Sequence, residues 1–159
     1  LCRDVCQSRG IKGLGVIGMC LTGNFAISLI ADDYVLAAVA SQPAMPFFKK
    51  GALHMSAEDV VEVRTALDDK GAMQLLRFED DLLCTSEKSE CIHKAFNDEG
   101  AMRVEEITLP GKGHSVLTLD FVDEEGHPTR AALERVLAYF KRQLTSTDGR
   151  KGLCKETEL

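Results

Sequence analysis

One stretch constrains the fold more than any other: Gly13-Leu14-Gly15-Val16-Ile17-Gly18-Met19-Cys20-Leu21-Thr22-Gly23. It opens as a short apolar run bounded by glycine, which reads as a buried strand rather than a helix. It leads without a linker into residues 23–32, GNFAISLIAD, which read as a helix that is apolar nearly all round and so deeply packed. A strand and a helix joined this abruptly need a sheet with helices against it. They also need small residues around the turn, because the backbone folds back on itself there.

The rest of the chain repeats the alternation. Residues 1–9 read as the end of a helix stopped by Gly10. Tyr34 to Ala40 is a second buried strand, followed by a loop over 41–54 with Pro43, Pro46 and Gly51. Ser56 caps the next helix, with Glu58 and Asp59 in its first turn and Val60, Val63 and Leu67 on one face. Met73 to Phe78 is a third strand, 86–97 a helix, and Met102 to Leu109 a less buried fourth strand. Pro128 opens a last helix, along which Leu133, Val136, Leu137, Phe140 and Leu144 recur at helical spacing. Strand-helix alternation of this kind predicts an α/β fold, a parallel sheet flanked by helices. Residues 1–144 form one domain on this reading, and the polar residues 145–159 are a frayed tail.

Charge and cysteine usage narrow the function classes. Nineteen Lys and Arg against 25 Asp and Glu leave a net charge of −6, which argues against nucleic acid or an anionic membrane as a partner. No apolar run approaches a membrane span and no signal peptide is visible, so a cytoplasmic protein is expected. The six cysteines include no C-x-x-C pair, so no zinc site is expected, and a chain this long with regular element patterns and no visible secretion signal fits a disulfide framework poorly. His54, His93 and His127 lack ligand spacing; His93 is expected to face solvent and His127 to belong to a helix entry. Gly13-x-Gly15-x-x-Gly18 matches a dinucleotide fingerprint by spacing alone, but its glycines lie within the strand and no acid ends the next one.

Ligands of parallel sheets bind at the carboxyl ends of the strands. The first strand ends in Gly18-Met19-Cys20-Leu21-Thr22-Gly23, a turn that would lift Cys20 out of the sheet as a nucleophile elbow does. The following helix N-terminus would favour the thiolate and leave the Leu21 amide to face an oxyanion. The third strand ends in Arg77-Phe78-Glu79-Asp80-Asp81, an acid where one is needed to orient a histidine. The fourth is followed by Leu109-Pro110-Gly111-Lys112-Gly113-His114, a histidine in a glycine-flanked loop. Nucleophile, acid and histidine thus appear in the chain order of α/β-hydrolases.

The stretches GVIGMCLTGNFAISLIAD, LLRFEDDLLCTSEK and LPGKGHSVLTLDFVDEEGHPTRAALERVLAYF resemble the dienelactone hydrolase family of α/β-hydrolases, which places cysteine at the elbow. The resemblance spans about residues 1–144 and corresponds to the C-terminal half of the α/β-hydrolase fold, without the strands that come first in it. It implies a Cys20–Asp81–His114 triad, with the Leu21 amide as one oxyanion donor and Gly18 and Gly23 as elbow glycines. Asp81 is preferred to Asp80, which occupies the place of a usual glycine. Thr22 stands where glycine is usual, leaving that role to Gly23, and Thr85 stands where proline often follows the acid. Ser115 to Thr118 contain no arginine, so the resemblance implies the reaction class and not dienelactone as substrate.

The implied activity is hydrolysis of a small-molecule ester or lactone through a thioester, without metal or organic cofactor. Phe47, Phe48 and Met55, from the loop before the Ser56 cap, are expected to help wall an apolar pocket, with Cys84 as a further candidate. A non-catalytic α/β module, or a fragment that needs a partner half, is the alternative. In the family's sheet the Cys20 strand is central. Its exposure at an edge would therefore lead to self-association.

Overall fold

The computed structural model describes residues 1–49 and 51–145. Its elements alternate as the sequence predicts: α1 (Cys2–Arg9), β1 (Leu14–Met19), α2 (Leu21–Leu29), β2 (Val35–Ser41), α3 (Ala57–Lys70), β3 (Met73–Phe78), α4 (Ser86–Phe96), β4 (Val104–Leu109) and α5 (Pro128–Thr145). The strands form one parallel sheet in the order β1-β2-β3-β4. Each crossover therefore carries the chain to the neighbouring strand. All the carboxyl ends lie along one edge: Met19 pairs with Ser41, Ser41 with Leu76, and Phe78 with Leu109.

Two apolar cores sandwich this sheet. On one face Ile27, Val63, Leu67, Ile92 and Phe96 from α2, α3 and α4 meet Val35, Ala38, Met73 and Leu75. On the other, Ala132, Val136 and Tyr139 of α5 meet Ala37, Val39, Leu76, Phe78 and Ile107. Alternate residues of one strand thus serve opposite faces, and β2 and β3 are buried along their whole length. Each fully buried Leu, Ile or Phe contributes about 1.5–3 kcal/mol of transfer free energy, so burial on both faces holds these two central strands firmly.

The helix starts follow local chemistry. Ser56 and Asp59 form a reciprocal capping box at α3. Thr85 caps α4 by accepting from the Lys88 amide. The expectation for α2 needs correction. The helix begins two residues earlier than predicted, and Leu21, Phe25 and Leu29 are 43%, 52% and 39% exposed, an apolar stripe at i, i+4 and i+8. Strand β1 is an edge strand without a charged residue, and its Ile17 is also exposed. The polar tail expected from 145 onward lies outside the described residues except for Thr145, which belongs to α5. No helix among the described residues is long and apolar enough to cross a membrane.

Candidate active site

Residue Cys20 sits between the last residue of β1 and the first of α2, with φ 53° and ψ −116°. A side chain in that region costs of order 1–3 kcal/mol, so the surroundings must impose the conformation. They do so from both sides. The Cys20 amide donates to the Ser41 carbonyl at 3.1 Å, and the Cys20 carbonyl accepts from the Gly23 and Ala44 amides at 3.2 Å each. Thr22 ties off the strand end, its hydroxyl accepting from the Met19 amide at 2.9 Å and donating to the Met19 carbonyl at 2.8 Å. Gly18 is obligatory, since a Cβ there would lie 2.0 Å from the Thr22 carbonyl oxygen. Gly23 lets α2 press against the chain after β2, where a Cβ would meet the Ser41 carbonyl at 3.0 Å. The Leu21 amide is the first of α2, one of the N–H groups a helix cannot satisfy internally.

The acid loop is built around Arg77, which is nearly fully buried. Its guanidinium donates to the carbonyls of Glu79 at 2.8 Å and Cys84 at 3.0 Å, closing residues 79–84 into a loop. Inside it the Asp81 side chain is fully buried. Asp81 Oδ1 accepts from the Leu83 and Cys84 amides at 2.8 and 2.9 Å. Cys84 contributes that amide and not a pocket wall. Its thiol is buried, and burial followed by the nearby Asp81 charge pushes it up to about 12.

The histidine loop continues the pairing of β3 and β4 beyond their ends. The Glu79 amide donates to the Leu109 carbonyl and the Asp80 amide to the Gly111 carbonyl. The chain then crosses the Phe78 ring at Gly113, where a Cβ would come within 2.6 Å of that ring. This delivers His114 Nδ1 to Asp81, 2.7 Å from Oδ2 and 3.0 Å from Oδ1. A carboxylate only accepts, so Nδ1 carries the proton and Nε2 is left as an acceptor. Nε2 is buried and has no hydrogen-bond partner. Of the three predicted site residues, Asp81 and His114 are hydrogen-bonded, while no hydrogen bond joins Cys20 to the imidazole. Such contacts often close only around a substrate.

Two other histidines lie in networks that the sequence did not reveal. His54 bonds Asn24 through Nδ1 at 3.1 Å and Ser28 through Nε2 at 2.9 Å. Asn24 also exchanges both of its amide groups with the Met45 backbone, at 2.8 and 3.0 Å. Lys88 is buried and donates to the Met45 and Ala52 carbonyls at 2.5 Å. Burial holds both His54 and Lys88 below their ordinary values. His93, expected to face solvent, instead bonds Glu106 at 2.7 Å and Asn97 at 2.8 Å. Glu106 also accepts from Ser89 and Thr108. Burial would raise its carboxyl, but these bonds outweigh it and bring it down to about 2. His127 stands at the start of α5, as expected, and accepts from the Thr129 amide.

Fixing the loop after β2 from three sides decides where its aromatic residues go. Phe47 and Phe48 line an open groove of about 570 Å³ with Lys49, Gly51, Ala52 and Glu87; Cys20, Asp81 and His114 do not line it. The expected apolar wall thus borders this groove, in which Phe47 and Phe48 stand beside Lys49 and Glu87. Met55 packs against the α2–α3–α4 core instead. No group of acidic, histidine or cysteine side chains among the described residues has the arrangement of a metal site. No protein-family model matches the chain, and no curated protein matches it.

Proposed function

We propose that this chain is a hydrolase that cleaves a carboxylic ester or lactone through a thioester on Cys20, in the manner of dienelactone hydrolase. The observation that carries the reading is the His114 ring. Asp81 holds its Nδ1, and its Nε2 is free and buried on the sheet edge that also carries the strained Cys20. Buried polar atoms are nearly always hydrogen-bonded, so a buried ring nitrogen without a partner calls for a functional explanation.

In this mechanism Nε2 takes the Cys20 proton and the thiolate attacks the substrate carbonyl carbon. The resulting oxyanion is held by the Leu21 amide. Collapse breaks the carbon–oxygen bond, and the imidazolium returns its proton to the leaving alkoxide. Water then gives a proton to Nε2 and attacks the thioester. The acid leaves, and the proton returns to the Cys20 sulfur. Asp81 holds the ring and offsets its charge when it is protonated. Turnover of p-nitrophenyl acetate tests the assignment. Cys20→Ala should reduce it to the rate in buffer, and undiminished turnover would exclude Cys20 as the nucleophile.

One observation favours a second reading, a module that works only with a partner. Uncharged β1 forms an edge, and the exposed Leu21, Phe25, Leu29 stripe of α2 lies on the helix that follows it. An unguarded edge of this kind invites a further strand. On this reading the chain self-associates or is inactive alone. Sedimentation velocity on the chain and on an Ile17→Lys variant distinguishes the cases. Association of the parent that the lysine abolishes supports it, and a monomeric parent with full turnover excludes it.

A further inference from the structure

We infer that Asp120 is a positioning residue for His114, fixing the backbone of the histidine while Asp81 fixes its ring. This rests on the function proposed above for His114.

The backbone zipper that carries the histidine loop from β4 ends at Gly111, whose carbonyl accepts from Asp80. From there to His114 another group must hold the chain. Asp120 does so with a single carboxylate oxygen. Oδ2 accepts from the His114 amide at 2.9 Å and from the Ser115 amide at 2.7 Å. The clasp is reciprocal, because the Asp120 amide donates to the Ser115 carbonyl at 3.1 Å. Thr118 donates to the same carbonyl, so residues 115–120 close into a tight turn. Val116, fully buried in the α5 core, anchors that turn to the body of the molecule.

The fit is close. A Cβ on Gly113 would lie 2.9 Å from the Asp120 carboxylate and 2.6 Å from the Phe78 ring, so the chain before His114 is gripped between the two. The amides of Ser115 and His114 hold the Asp120 carboxyl below its ordinary value, as expected for an ionised acceptor of two N–H groups. The carboxylate itself is exposed, so Asp120 is not a core residue whose loss would empty the interior. With the backbone held by one carboxylate and Nδ1 by another, Nε2 has one direction left. A displacement of about 1 Å at such a group can cost two orders of magnitude in rate.

The test uses the full chain, with active sites counted by iodoacetamide titration of Cys20. Asp120→Ala should lower kcat for p-nitrophenyl acetate about tenfold to a hundredfold with KM within about twofold. Asp120→Asn, whose amide oxygen still accepts from both amides, should stay within about threefold of the parent. Equal kcat in parent and Asp120→Ala would overturn the inference. An Asp120→Asn variant as impaired as Asp120→Ala would also overturn it. A parent chain without turnover would instead count against the proposed hydrolase. Positioning is then read from the His114 Nδ1 proton resonance. Its loss in Asp120→Ala and retention in Asp120→Asn support the inference, and an unchanged signal in Asp120→Ala refutes it.

Discussion

Two histidines near the carboxyl edge of the sheet make an instructive pair. His54 and His114 are both partly buried, and each has a side-chain oxygen or nitrogen within 3.1 Å of Nδ1. His54 even has a serine hydroxyl at Nε2, at 2.9 Å. A search for serine beside histidine would choose His54. The tautomers decide otherwise. Asn24 donates its amide hydrogens to the Met45 carbonyl and to His54 Nδ1, since its oxygen is taken by the Met45 amide. His54 Nδ1 is therefore an acceptor, and Nε2–H donates to Ser28. Such a ring cannot remove the serine proton. His114 has the opposite tautomer, with its proton toward Asp81 and its basic nitrogen unclaimed. His54 has both ring nitrogens bonded, whereas His114 keeps one buried nitrogen without a partner, as the proposed role requires.

Substitution should separate the two most sharply. His114→Ala is expected to lower kcat/KM for an activated ester by about 10³-fold or more while changing the urea midpoint little. His54→Ala should do the reverse. Turnover should stay within a few-fold, and stability should fall by about 1–3 kcal/mol, because Asn24 and Ser28 lose their partner. Equal effects on rate would erase the distinction. Asp81→Asn is expected to cost about 10²- to 10⁴-fold in kcat, since an amide can turn its NH₂ toward Nδ1 and reverse the tautomer. Steady-state kinetics checks all three variants.

A smaller effect appears in the pH dependence of stability. Burial, and then the charge of Lys88, holds His54 below its ordinary value of 6.5. The unfolded chain therefore binds more protons at this residue than the native one. The His54 contribution is complete above about pH 6.5 and is lost as pH falls through its folded value. Urea midpoints should thus drop between pH 7.5 and 5.5. His54→Gln should show a smaller drop, and an equal drop would mean that another group carries the effect. Lys88→Met should likewise lower stability by about 1–3 kcal/mol by orphaning two carbonyls, with kcat nearly unchanged. Chemical denaturation read beside turnover makes that comparison.

The sheet, its order of elements and the three residues at the strand ends were legible because each leaves a local signature. Gly18 and Gly23 bracket a turn, Asp81 follows a strand closely and Gly113 precedes His114. Longer-range hydrogen bonding leaves no such mark. Nothing near His54 in sequence points to Asn24 or Ser28, 30 and 26 residues away. Lys88 lies in the helix predicted over 86–97, yet it reaches carbonyls 43 and 36 residues distant. The Phe47 and Phe48 side chains face a groove of their own because those remote bonds fix their loop. The exposed stripe of α2 escaped for a different reason. An uncharged helix reads as buried, and only the edge position of β1 shows that one side of it is uncovered. Asp120 had one usable signal, an acid six residues after the histidine of the glycine-rich loop, and its meaning depends on the turn at Ser115.

The central claim is that Cys20 carries the acyl group. Mixing the chain with p-nitrophenyl acetate, quenching in acid within the first turnover and digesting for mass spectrometry tests it directly. The account predicts one acetyl group, on the peptide containing Cys20, that accumulates in the parent and is absent from Cys20→Ala. Acetylation spread over several cysteines and lysines, or hydrolysis with no adduct on Cys20, would contradict it.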